Sequence, residues 1–176
     1  MNGFAATSAF PDWPQYAARI TNAVANLTAE QLALTAGPEH GSIWQLAAHV
    51  AGSRLYWLCV VCGEPGLDDL DGLDVLDPAT GEGWEDNPDH PRSGAELRTA
   101  LEASWAVIAD CLARWTPEQL EARVERRFGA TVQHHTRMSI LNRLFSHDAF
   151  HAGEISQLLG VAGLPAIDLW RREDPR

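Results

Sequence analysis

The sequence contains no lysine, so its 13 basic residues are all arginines, set against 24 acidic residues in a chain of 176. The resulting net charge of −11 disfavours nucleic acid as a partner, because proteins bind nucleic acid by neutralising its phosphates with clustered lysine and arginine. An anionic membrane surface is disfavoured by the same repulsion. We therefore expect no nucleic acid and no membrane among the partners of this protein.

Long hydrophobic runs are also absent. No window approaches the ~18 uninterrupted apolar residues of a transmembrane helix, and the first residues, MNGFAATSAFPDW, contain neither the basic nor the apolar region of a secretory signal. Cysteine is scarce and odd in number, with only Cys59, Cys62 and Cys111. Such cysteine usage fits a reducing compartment, so a cytoplasmic location is expected.

Apolar residues recur at spacings of three and four in most of the chain, which predicts helices. Four long helices are predicted from this periodicity and from capping and stop residues. They begin at Asp12, Ser42, Ser93 and about Thr136, and they end at Leu27, before Gly63, at Trp115 and at Gly160. Residues 63–92 form a long loop rich in Gly, Pro and Asp, and residues 122–135 are ambiguous between a hairpin and an irregular strand.

Four amphipathic helices in one small domain bury their apolar stripes most economically as a four-helix bundle. We therefore predict an all-α fold with a single domain over residues 1–176. The long loop is expected to cross an end or a flank of the bundle, and a short hairpin before the last helix remains open as an addition to it.

Three histidines interrupt the predicted core. His147 and His151 occupy the middle of the apolar stripe of the last helix, and residues four apart share one helix face. In the second helix, His49 lies beside the apolar Leu46 and Val50. Buried imidazoles need partners, and a trihistidine site for Zn, Ni, Fe or Cu would provide one. Hydrogen-bonded core histidines, or histidines lining a wet cavity, are the alternatives that the spacing leaves open.

The sequence resembles the DinB superfamily of bacterial four-helix bundles, which includes the YfiT-like metal-dependent hydrolases. Three segments carry the resemblance: SIWQLAAHVAGSRLYWL, SILNRLFSHDAFHAGEISQLLG and the ending GLPAIDLW. The most specific element combines a lone histidine on the second helix with a motif on the last helix. That motif is His-x-x-x-His followed in order by a small residue, by Gly, by either Glu or Gln, and by Ile. The resemblance implies a divalent metal held by His49, His147 and His151, with zinc or nickel favoured and iron or manganese as alternatives.

Members of this superfamily with assigned activity include mycothiol-dependent maleylpyruvate isomerase, bacillithiol transferases and the thiol-ligating domain of ergothioneine synthases. The resemblance therefore implies a thiol S-transferase or a hydrolase that acts on a small electrophilic molecule, with a low-molecular-weight thiol as a candidate cosubstrate. It also implies a homodimer. The alternative is a non-catalytic metal-binding or stress-response bundle that dimerises.

Two acidic residues beside the histidines are candidate catalytic residues. Glu154 stands where many relatives have glutamine, and we favour a hydrogen bond from a histidine N–H to its carboxylate over ligation or general-base catalysis. Asp148 is either catalytic or the partner of a neighbouring arginine. Arg54, Arg137 and Arg143 are candidates for binding the carboxylate of a thiol, with a surface ion pair as the alternative for each.

Three other motifs carry competing interpretations. The HDAFH sequence of the last helix has the shape of a zinc-peptidase HExxH motif, but its shorter carboxylate would be poorly placed as a base. Cys59 and Cys62 form a single CxxC with no second pair, which favours small core residues. The run DDLDGLDVLD fails as a calcium loop, because aligning Gly72 with the invariant glycine puts Leu67 at the first ligand position.

Overall fold

The computed structural model describes residues 6–66 and 82–168. The acidic run DDLDGLDVLD (68–77) and the last two residues of the GLPAIDLW segment lie outside these ranges. The elements follow in the order α1 (Trp13–Val24), α2 (Ala29–Leu32), α3 (Ile43–Leu55), α4 (Gly94–Arg114), α5 (Pro117–Glu121), β1 (Arg123–Phe128), β2 (Thr131–Thr136) and α6 (Arg137–Val161). Short 3-10 turns cover Ala6–Ala9 and Trp84–Asp86, and a π-helical turn at Tyr56–Val61 continues α3. The fold is mostly helical, as predicted, and no helix in the described ranges is long and apolar enough to cross a membrane.

The long helices begin at the predicted capping residues. Ser42, Ser93 and Thr136 each close a capping box with the residue three positions further on, which satisfies amide donors that the first turn leaves unpaired. Asp12 occupies the N-cap of α1 but makes no side-chain capping bond. Gly63 ends the π-helical turn with a φ of 72°, a left-handed conformation that favours glycine.

The ambiguous segment before α6 is an antiparallel hairpin. β1 and β2 pair along their whole length, and Gly129 in the connecting turn has a φ of 55°. Alternate side chains of β1, those of Val124, Arg126 and Phe128, are partly buried, whereas their neighbours are exposed. The hairpin therefore directs one face, including a charged residue, toward the π-helical turn that follows α3.

The four long helices α1, α3, α4 and α6 pack on one another around two clusters of buried apolar side chains. One cluster includes Ile20, Val24, Trp44, Leu101 and Ile155, and the other includes Trp13, Trp57, Ile108, Leu112 and Leu144. On three of these helices a buried polar residue stands where one cluster gives way to the other: Arg54 on α3, Ser104 on α4 and Asp148 on α6. A layer of polar side chains therefore crosses the interior.

The second part of the long loop returns to the surface of α3. Trp84 in the short turn Trp84–Asp86 is buried, and its indole Nε1 donates a hydrogen bond to the carbonyl oxygen of Ala48 at 3.0 Å. This anchor fixes the loop beside the middle of α3. It thereby brings the residue after the tryptophan close to His49.

Candidate metal centre

Three imidazoles meet where α3 packs on α6. The Nε2 atom of His147 lies 3.0 Å from Nε2 of His49 and 3.2 Å from Nε2 of His151. Each of the three histidines offers a ring nitrogen within 4.8 Å of the other two. His147 and His151 share a face because they are four residues apart on α6. The predicted convergence of these three side chains is confirmed.

Carboxylates hold two of the rings from behind. Nδ1 of His49 lies 2.7 Å from Oε1 of Glu85, and Nδ1 of His151 lies 2.6 Å from Oε2 of Glu154. An ionised carboxylate only accepts hydrogen bonds, so each Nδ1 carries the proton and donates it. Each Nε2 then presents a lone pair to the common centre. A cation shared by the three rings would bind these lone pairs.

His147 is the most deeply placed of the three. Burial, with additional contributions from the neighbouring His151 and His49, lowers its pKa to about 3. Burial also lowers the pKa of His151, against the opposing effect of Glu154. Both rings are therefore neutral near pH 7, the form that ligates metals. Within the described residues, Nδ1 of His147 is buried and has no hydrogen-bond partner.

The donor set fits a divalent metal. Zinc–nitrogen bonds of about 2.0–2.1 Å in tetrahedral geometry place ligand nitrogens roughly 3.3 Å apart, close to the separations seen between the Nε2 atoms. The His49 side chain is 42% exposed and that of His151 is 13% exposed, so the cluster opens on the His49 side. Three protein ligands with an open side are typical of a catalytic metal site, because structural zinc is closed by four.

Glu85 belongs to this site although no pattern in the sequence predicts it. It belongs to the long loop, where no periodicity predicts which side chain faces a helix. A Cβ atom added at Gly83 would lie 2.5 Å from Oε2 of Glu85, so the glycine leaves room for this carboxylate. The usable signal was Trp84, since a tryptophan inside an otherwise polar loop indicates an anchored segment.

Asp148 faces away from the imidazoles. Its Oδ1 accepts a hydrogen bond from Arg54 Nε at 3.1 Å, and its Oδ2 accepts bonds from Arg54 Nη2 at 2.7 Å and Trp13 Nε1 at 2.8 Å. Arg54 also donates from Nη1 to the carbonyl oxygen of Leu101 and to Ser104 Oγ. The side chains of the pair are 0% and 2% exposed. The geometry favours the ion-pair interpretation of Asp148 over a catalytic one.

The other two candidate arginines have different surroundings. Arg137 forms an ion pair with Glu64 at 3.2 Å and stacks on Trp115. Arg143 lies over the ring of Trp57, with its Cζ atom 5.0 Å from the ring centroid. Of the three candidate arginines, Arg143 alone is near the imidazole cluster and has no carboxylate partner within the described residues.

The cysteines offer no nucleophile for this site. Cys59 lies in the π-helical turn and Cys62 directly follows it, and both are free thiols. Burial is the main cause that raises the pKa of each thiol to about 11. Both are therefore protonated near neutral pH, and thiolate is the reactive and metal-binding form.

Two cavities lie beside the carboxylates that hold His151 and His49. The larger, of about 520 Å³, is lined by Glu154, by apolar side chains that include Leu46 and Leu158, and by His40. The smaller, of about 80 Å³, is lined by Glu85, by Arg126 and by the α3 face that carries Ser53 and Tyr56. Ser53 Oγ lies 3.5 Å from Nε2 of His49, so the smaller cavity reaches the exposed side of that ring.

Comparison with known proteins is consistent with this architecture. A family model of the DinB superfamily matches residues 15–155. The crystal structure of a DinB-like protein from Bacillus cereus ATCC 10987 superposes with a TM-score of 0.66 and 18% sequence identity, covering 92% of this chain and 95% of that one. At this identity the similarity demonstrates the fold alone. No curated protein sequence matches the chain significantly.

Proposed function

Because the chain belongs to the DinB superfamily, we propose that it is a cytoplasmic, metal-dependent enzyme built as a four-helix bundle. His49, His147 and His151 hold a divalent metal, zinc or nickel in the first place and iron or manganese as alternatives. The observation that carries this proposal is the convergence of three Nε2 atoms, with the Nδ1 atoms of His49 and His151 bonded to carboxylates. Such outer carboxylates orient ligand histidines and raise their basicity.

A divalent metal held there would lower the pKa of a bound thiol or water, so that a nucleophile exists near neutral pH. The chain's own residues orient the rings and handle the proton. Glu85 and Glu154 fix the orientation of His49 and His151. The Glu154 side chain is 37% exposed and lines the larger cavity, which supports a second role for its carboxylate as acceptor of a proton released by a substrate in that cavity.

The substrate that fits is a small electrophilic molecule. The larger cavity, at about 520 Å³, has the volume of ordinary ligand pockets, and Leu46 and Leu158 give it apolar walls. The protonated state of Cys59 and Cys62 supports a nucleophile that comes from outside the chain. The proposed reaction is therefore the transfer of a low-molecular-weight thiol, or hydrolysis by water.

Metal content tests the shared premise of both reactions. Protein purified without a nickel column is expected to contain about one divalent metal per chain by mass spectrometric elemental analysis. His49→Ala, His147→Ala and His151→Ala should each abolish this content. His90→Ala is the matched control, because His90 is an exposed loop histidine paired with Glu96. Substoichiometric metal that the three substitutions leave unchanged would refute the metal centre.

Activity is tested with metal-loaded protein and a panel of small thiols against monochlorobimane. A transferase consumes the thiol in a metal-dependent way, and removal of the metal with EDTA stops the reaction. Metal-dependent hydrolysis of ester substrates without consumption of thiol would instead identify a hydrolase. An intact metal centre with neither activity would favour a non-catalytic protein.

The non-catalytic alternative is a metal-binding or stress-response bundle that dimerises. Exposed apolar residues on α6 favour a homodimer: Phe150 is 64% exposed, and its ring packs edge-on against His151, while Val161 is 85% exposed. The two residues are 11 positions apart and therefore lie on one face of α6, where the same face of a second chain could cover both. Sedimentation of the wild type and of Phe150→Asp tests this, and monomeric wild-type protein would contradict the homodimer.

A further inference from the structure

Trp57 holds two guanidinium groups beside the imidazole cluster. The Cζ atoms of Arg126 and Arg143 lie 5.2 Å and 5.0 Å from the centroid of its ring. Trp57 belongs to the turn after α3, Arg126 to β1 and Arg143 to α6, so three elements build this group. We call these three residues the arginine cluster. An aromatic face holds a guanidinium in place, while the N–H groups point outward from the edge of the guanidinium, in its own plane.

Neither guanidinium is neutralised within the part of the chain that the structure describes. Arg126 donates from Nε to the Tyr56 hydroxyl at 3.0 Å and from Nη1 to Gln133 Oε1 at 2.9 Å, and both acceptors are uncharged. Arg143 has its stacking contact with Trp57 and no carboxylate among residues 6–66 and 82–168 within salt-bridge distance. Two unpaired cations on one ring contrast with the net charge of −11 of the whole chain.

The arginine cluster lies next to the imidazoles along two helices. Arg143 precedes His147 by one turn on the same face of α6. Arg126 lines the smaller cavity together with Ser53, whose Oγ lies 3.5 Å from His49 Nε2. Along α6 the order is Arg143, His147, His151 and then Glu154, which lines the larger cavity. The imidazoles thus stand between a cationic side and an apolar one.

His135 adds an unpartnered polar atom to the same place. Its ring packs edge-on against Trp57 with the centroids 5.0 Å apart. Its Nε2 atom is buried and makes no hydrogen bond within the described ranges. Burial and the charges of Arg143 and Arg126 lower the pKa of His135, which agrees with its position close to both guanidiniums. Buried polar atoms rarely lack a partner, and either a water or a bound ligand would supply one here.

We propose that Arg126 and Arg143, held on Trp57, bind the carboxylate of a small substrate whose reactive end reaches the imidazole cluster. Planar guanidiniums match carboxylates through paired N–H donors, and these bonds are stronger than bonds between neutral groups. The ligand class is a small organic acid with its carboxylate separated from a thiol or an electrophilic carbon. The placement of the reactive end rests on the proposed function, whereas carboxylate binding does not.

The first experiment needs no metal. Arginine Nε–H signals of the nitrogen-15-labelled protein are recorded by NMR during titration with 3-mercaptopropionate, and with 2-mercaptoethanol, which replaces the carboxylate with a hydroxyl. We expect saturable shifts of the Arg126 and Arg143 signals with the acid alone. Arg126→Gln and Arg143→Gln assign the two signals, and exposed Arg98 is the internal control. Shifts no larger than those of Arg98 would overturn the proposal.

The second experiment joins the arginine cluster to the metal centre. In protein loaded with Co²⁺, thiolate binding is followed by its charge-transfer absorption. We expect 3-mercaptopropionate to bind about tenfold more tightly than 2-mercaptoethanol, because charge-assisted hydrogen bonds favour the carboxylate. Arg143→Gln should remove this preference without changing Co²⁺ affinity, whereas Arg98→Gln should retain it. A preference that survives in both Arg126→Gln and Arg143→Gln would overturn the proposal.

The two experiments separate two failures. If Co²⁺ does not bind at the histidines, the proposed function fails, and the NMR titration still decides on the arginine cluster. If Co²⁺ binds and the NMR shifts do not saturate, the arginine cluster fails alone. Propionate is the final arm: competition by propionate against 3-mercaptopropionate assigns the subsite to carboxylates in general, including that of an electrophile. Saturable binding of 3-mercaptopropionate with no competition by propionate would show that the carboxylate is not what the arginine cluster binds, and would overturn the proposal.

Discussion

Two polar clusters lie back to back at one turn of α6, and they differ in how well they are satisfied. Asp148 forms a buried ion pair with Arg54 and accepts a third bond from Trp13. The preceding residue, His147, belongs to a group of rings whose Nε2 atoms face one another, and its own Nδ1 is unpartnered within the described residues. A buried polar group that is satisfied holds helices together, and one that is not has capacity left for a ligand.

The largest effect is expected from breaking the satisfied cluster. Asp148→Ala should lower the free energy of unfolding by ~3–5 kcal/mol, because it leaves the Arg54 guanidinium charged, buried and unpaired. Urea unfolding followed by circular dichroism measures this. The double variant Arg54→Met with Asp148→Leu should recover most of the loss, since apolar side chains of similar volume can replace a buried pair.

Asp110→Ala is the matched control for Asp148→Ala. Asp110 also pairs with an arginine, Arg114, but both side chains are about half exposed. Exposed pairs contribute little to stability, so this variant should unfold close to the wild type. Equal losses for Asp110→Ala and Asp148→Ala would show that burial of the ion pair is not what matters.

The unsatisfied cluster should respond in metal affinity instead. Glu85→Gln and Glu154→Gln are each expected to weaken divalent metal binding about 10-fold to 100-fold, because the amide still accepts the Nδ1 proton but no longer supplies a negative charge. Competition with a chromogenic chelator measures the affinity. The exposed Glu121→Gln serves as a control for loss of one charge. Unchanged affinity in both site variants would remove the role assigned to the two carboxylates.

Acid should act on the imidazole cluster in the absence of metal. His147 has a pKa of about 3 in the folded chain against its ordinary 6.5, so below pH 6.5 the unfolded chain takes up a proton that the folded chain does not. Each pH unit of this difference costs about 1.4 kcal/mol. The neutral state of His147 therefore costs no stability above pH 6.5, and it lowers the free energy of unfolding progressively as the pH falls from 6.5 toward 3.

Urea unfolding in EDTA at pH 7 and pH 5 measures this loss. Wild type should lose about 1–2 kcal/mol more than His147→Asn between the two values. The Arg54→Met and Asp148→Leu double variant should keep the wild-type dependence, because it leaves the histidines in place. The same loss in His147→Asn as in wild type would assign the acid sensitivity to other groups.

The two clusters were not equally predictable from the sequence. The histidines could be placed because helical periodicity alone puts His147 and His151 on one face and His49 on a buried one. The partner of Asp148 could not be predicted, because Arg54 is 94 residues away in the chain. Any arginine on a facing helix would have been an equally good candidate. Pairing across helices depends on their rotation and offset, which short-range spacing does not encode.

The loop and hairpin show the same limit. Glu85 reaches His49 because Trp84 anchors the loop on α3, a tertiary contact with no periodic signal. The sequence left the hairpin ambiguous because charged residues occur on both faces of β1. Arg126 occupies an inward position that usually holds an apolar side chain. Arg126 fits there because it stacks on aromatic rings.

The smallest effect on metal content is expected from substitution of the cysteines, which belong to neither polar cluster. Cys59→Ser and Cys62→Ser should leave the metal content at the wild-type level, because neither cysteine belongs to the group of His49, His147 and His151 whose ligand atoms lie together. Labelling with iodoacetamide at pH 7.5 should be slow in the folded chain and fast in urea, where the thiols regain an ordinary pKa. Loss of metal in either serine variant would mean that a thiolate completes the site, and the open position assigned to a substrate would then be filled by the chain itself.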